Sequence, residues 1–81
     1  MNETKAETQD KSERIAREAL SHMLRAQVSL QVVKIGERNS LDMKLKEQHI
    51  QHLRLIQEFF ERKYREMYGR DFVPIKEIVN P

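Results

Sequence analysis

From Leu41 to Met67 the sequence repeats one pattern that a single backbone form can satisfy. Leu41, Leu45, His49, Ile50, Leu53, Ile56, Phe60, Tyr64 and Met67 recur at three- and four-residue steps, so a helix turning about 100° per residue gathers them on one side. A strand would send alternate residues to opposite faces and scatter the set. Lys44, Glu47, Gln51, Arg54, Glu58, Glu61, Arg62 and Arg65 take the other side. Glu58 precedes Arg62 and Glu61 precedes Arg65 by four residues, an order that supports a helix by roughly 0.3 kcal/mol per pair. The spacing predicts a helix over 41–68, with Gly69 beyond its end.

An earlier stripe has the same period: Ile15, Ala16, Ala19, Leu20, Met23, Leu24, Ala26 and Leu30. Asp10 or Ser12 offers a side-chain cap, and Glu13 stands three residues after Asp10 as in a capping box. A first helix is therefore expected over 10–35, with Glu13–Arg17 and Arg14–Glu18 as charge pairs on its solvated side. Residues 1–9 show no apolar periodicity and are expected to form a flexible tail. Gly36 favours the left-handed conformation that ends helices, and Asn39 or Ser40 can cap the next one.

Two long helices of similar length joined by a short polar turn describe an all-α antiparallel hairpin spanning 10–69. The rival is a helix–hairpin–helix (α-β-β-α) arrangement with a β-hairpin over 28–45. Val28, Leu30 and Val32 alternate, as do Leu41, Met43 and Leu45 across the glycine-containing connection. Helical periodicity runs into this region from both flanks, which favours the all-α form. The last segment, 70–81, carries Phe72, Val73, Ile75, Ile78 and Val79, with Pro74 able to open a short helical turn. It is expected to pack back on the hairpin or on a partner, and these five residues form a candidate partner surface.

A chain of 81 residues buries a modest core, and the absence of cysteine removes disulfide staples and thiolate metal sites. The apolar arc of the second helix, widened by Phe59 and Met43, exceeds the narrow seam of a two-stranded coiled coil. Each helix then needs two neighbours, so a homodimer forming a four-helix bundle is expected. Its dimer or core face comprises Ala16, Ala19, Leu20, Met23, Ala26 and Leu30, with Leu45, His49, Ile50, Leu53, Ile56, Phe60, Tyr64 and Met67. Alanines at 16, 19 and 26 permit close helix approach.

The remaining chemistry is sparse. His49 and His52 share a helix side at ligand spacing, but no acidic residue flanks them at a third ligand position, so no metal and no cofactor is expected. Gln27, Lys34, Lys46 and Gln57 interrupt the apolar faces, as residues that set register or line a ligand pocket do. No acid, base or nucleophile grouping appears, and the expectation is a non-enzymatic protein. Arg54, Arg62, Lys63, Arg65 and Arg70 form a candidate nucleic-acid contact set beside Tyr64 and Tyr68. Glu58, Glu61 and Glu66 neutralise much of it, in keeping with a net charge of +2. The polar first ten residues argue against a secretory signal, and no run reaches the ~20 apolar residues of a membrane span. The sequence thus points to a cytoplasmic regulatory or adaptor protein that pairs with itself and engages another protein; a nucleic-acid-binding regulator is the alternative.

Overall fold

The computed structural model describes the backbone of residues 2–33 and 40–81, and side chains over 10–33 and 41–81. Helix α1 spans Asn2–Val32, α2 spans Ser40–Tyr68, and a single turn, α3, spans Lys76–Val79. Hydrogen bonds join Ser12 to Tyr68 and Tyr64 to Glu13, while Lys46 reaches Val33 at the opposite end. The two long helices therefore run antiparallel. Among the described residues there is no strand, so the α-β-β-α alternative is overturned: Val28 to Val32 continue α1, and Leu41 to Leu45 open α2. An isolated two-stranded hairpin has little intrinsic stability, whereas here both helical patterns continue into the region. Helix α1 ends at Val32 with Val33 outside it, short of the expected residue 35, while residues 34–39, with Gly36 and Asn39, lie outside the described residues.

The start of α1 differs from expectation. The helix begins at Asn2 rather than Asp10, so residues 2–9 are helical and not an irregular tail. Asn2 to Gln9 contain neither glycine nor proline, and Glu, Lys, Ala and Gln favour helix. The apparent capping signals at Asp10 and Ser12 thus lie inside the helix.

The end of α2 follows its sequence signal. Gly69 adopts φ 71°, and its N–H donates to the Arg65 carbonyl at 2.8 Å, which is a left-handed helix cap. The chain then turns back as a strap, 69–81, with α3 seated on α1. In α3 the Ile75 carbonyl accepts from Ile78 and Val79 N–H at 3.0 and 3.1 Å, just after Pro74.

The molecule extends 62 × 24 × 14 Å, and its radius of gyration of 16.4 Å exceeds the ~12 Å of a compact chain this long. That shape is one layer of helices. Among the described residues only Leu20 and Tyr64 are buried hydrophobics, at 5% and 3% exposure.

Candidate functional site: an open apolar face

The two sides of the α1–α2 seam differ. On one side the strap closes over α1. Glu13 is buried there, both its oxygens are gripped by the Arg70 guanidinium, and the Tyr64 hydroxyl donates to Oε1 at 2.9 Å. Arg17 Nε donates to the Val73 carbonyl at 3.1 Å. Ser21, fully buried, accepts the Ile75 N–H at 2.9 Å. The Tyr64 ring packs edge-on to Tyr68 and Phe72, with centroids 4.8 and 5.8 Å away. Arg70 holds the Glu13 carboxyl below its ordinary value, against the opposing loss of solvent, and Tyr64 adds to the effect. Loss of solvent and the hydrogen bond to Glu13 push the Tyr64 hydroxyl up to about 12.

On the other side no described residue covers the seam. Ala16, Ala19, Leu20 and Met23 of α1 meet Phe60, Lys63, Tyr64, Met67 and Tyr68 of α2 along a groove of about 250 Å³. Alanines on one wall and aromatic residues on the other make it a slot. Helical spacing continues the same face through Ala26 and Leu30 on α1 and through Ile56, His49 and Leu45 on α2. Phe59 and Phe60 are each 47% exposed and Met67 is 65% exposed. The fourteen residues expected to share one face are therefore divided. Leu20 and Tyr64 lie in the seam; Ala16, Met23, Leu30, Ile50, Leu53 and Ile56 are half-buried; Ala19, Ala26, Leu45, His49, Phe60 and Met67 are exposed.

Several other predicted residues are used differently from expectation. Phe72, Ile75, Ile78 and Val79 are half-buried in the strap, which leaves Val73 as the exposed member of that set. Of the candidate nucleic-acid contacts, Arg70 is bound to Glu13, Arg65 lies 3.4 Å from Asp71, and Lys63 lies 3.5 Å from Glu66 and over the Phe59 ring. Arg54 and Arg62 are exposed. Glu13 faces the seam instead of pairing on the solvated side with Arg17. Lys46 donates to the Val33 carbonyl at 3.0 Å, a cation placed at the end of α1, and Lys34 lies outside the described residues. Gln27 and Gln57 are buried, and among the described residues both Nε2 atoms and Gln57 Oε1 lack a hydrogen-bond partner.

His49 is exposed, and its Nδ1 lies 2.8 Å from the Leu45 carbonyl, which leaves Nε2 as the outward nitrogen. Among the described residues no three His, Asp or Glu side chains gather to hold a metal ion, and no helix is long and apolar enough to cross a membrane.

Sequence reasoning misses Glu13, Ser21 and Tyr68 as anchors. The signal that points to the first is that Glu13, Leu20 and Gln27 are seven apart, one continuous line along α1.

No known protein family, characterised protein or solved structure matches this chain.

Proposed function

We propose that this protein is a small non-enzymatic regulatory or adaptor module that works as a helical homodimer and engages another protein. The observation that supports this reading is the open apolar face. A single layer of helices, with Leu20 and Tyr64 the buried hydrophobics among the described residues, leaves Leu45, Phe59, Phe60 and Met67 in water. Apolar surface of that extent marks an interaction site, and a small domain gains most by closing it against a second layer. A dimer of hairpins supplies that layer as a four-helix bundle.

Other apolar residues remain outside such an interface. Val32, Val33 and Leu41 are exposed at the turn end of the hairpin, and Val73 is exposed on the strap. These two patches, the turn end and the strap, are the surface assigned to the second protein.

Light scattering on the purified chain tests the first half of the reading, with twice 9.7 kDa as the expected mass. A mass near 9.7 kDa ends it. Affinity capture from the native host with parent, Leu41→Asp and Val73→Asp baits tests the second half. Loss of one captured protein with both variants, at unchanged helicity, is the expected result. Identical capture by all three removes the assignment. Point substitutions are preferable to truncation, because deleting 70–81 also removes Arg70 from Glu13.

A further inference from the structure

We propose that the two copies close their open faces with α1 of each lying over α2 of the other, about a two-fold axis parallel to the helices. This rests on the homodimer reading above and adds which helix meets which, at what height, and why.

The register inside one hairpin carries the argument. Ser12 is level with Tyr68, Glu13 with Tyr64, and Val33 with Lys46, so residue numbers that face each other add to between 77 and 80. A two-fold along the helices leaves heights unchanged, so the same relation holds between α1 and the partner's α2. Ala19 then lies against the partner's Phe59 and Phe60, and Ala26 against the partner's His52.

Side-chain size selects this arrangement. The open stripe of α1 is built on alanines at 16, 19 and 26, whereas α2 carries Ile56, Phe59 and Phe60. Unlike helices face to face put a small residue against a large one at Ala19 and at Ala26, with Met23 against the partner's Ile56 between them, so the two alanine layers can pack densely. Like helices face to face would stack alanine on alanine and hold the bundle apart with phenyl rings at the other seam. The groove beside Ala16 and Ala19, about 250 Å³, has room for a phenyl ring, since a closed cavity of ~150 Å³ already holds benzene.

Charge agrees with size. At the outer edge of the same pairing, Lys11 is level with the partner's Glu66. Both side chains are exposed in the single copy, and they carry opposite signs.

The chain has no cysteine, so introduced thiols are unique. Ala26→Cys and His52→Cys variants are unfolded together, refolded as a mixture, and treated with a bifunctional maleimide spanning one helix-to-helix distance, about 10 Å. The expected result is a cross-linked dimer in the mixture, at least tenfold above either variant alone. Cross-linking of either variant alone, equal to or above the mixture, would place like helices together and overturn the proposal. Met23→Cys with Ile56→Cys repeats the test at a second height if the first pair loses helicity. A dimer by light scattering that cross-links in neither mixture also overturns it, because the interface then lies elsewhere. A monomer by light scattering instead overturns the homodimer reading itself.

Discussion

Arg70 binds both carboxylate oxygens of Glu13 across 57 residues of sequence, and this one contact ties the strap to the first helix. Tyr64 adds a hydrogen bond from α2, so three elements converge on one buried carboxylate. Glu13 keeps its charge because both oxygens receive donors, the condition under which a buried ion is tolerated. Arg70→Ala is expected to free the strap and leave both long helices formed. Limited proteolysis should then cleave after residue 69 at a much higher rate, with far-ultraviolet circular dichroism nearly unchanged. Equal cleavage rates would show that Ser21, Arg17 and the apolar strap residues hold the segment without Arg70.

Stability should form a plateau bounded by two titrations. The Glu13 carboxyl is lowered in the fold, so its contribution is complete above the ordinary value of 4.5 and disappears as pH falls through the lowered one. The Tyr64 hydroxyl is raised from 10.0 to about 12, so its contribution is complete below pH 10 and is lost as pH rises toward 12. Thermal melts from strongly acidic to strongly alkaline pH should show losses on both limbs. Tyr64→Phe should flatten the alkaline limb at a cost of ~1.5–3 kcal/mol at neutral pH, the scale of one hydrogen bond to a charged group.

Gln57 is buried with neither end of its amide paired among the described residues. An apolar side chain of similar length removes that desolvation cost, so Gln57→Leu is expected to raise stability by ~1–2 kcal/mol in urea titration. A loss of stability instead would mean that the amide is paired in the assembled protein.

Leu20 sits where α1, α2 and the groove meet. Leu20→Ala should cost about 2–4 kcal/mol in the same titration, because so small a core has little with which to fill the space.

Gly69 occupies the left-handed region at φ 71° with open space around it. Gly69→Ala therefore tests backbone conformation alone and should cost about 1 kcal/mol by thermal melting, without a steric clash.

Much of the local structure is legible in the order of the residues. Apolar spacing over 41–68 matches α2 at Ser40–Tyr68, Gly69 ends it, and the apolar tail packs on α1. The first two features depend on residues within one or two turns of each other, which a linear sequence displays. The capping signals at Asp10 and Ser12 mislead because a cap residue is also tolerated inside a helix when nothing upstream breaks it.

The order of residues is thus enough for the helical class, the extent of α2 and an apolar surface too wide for one seam. How that surface is divided depends on packing between distant segments. Helical spacing alone assigns residues to a side of one helix, but not to a neighbour. The strap takes one side of α1 through Glu13, Arg17 and Ser21, contacts made between residues more than fifty positions apart. Once that side is closed, the alanine-lined side opposite is the one left open. The division follows from where the chain turns at Gly69 and which polar atoms it can then reach.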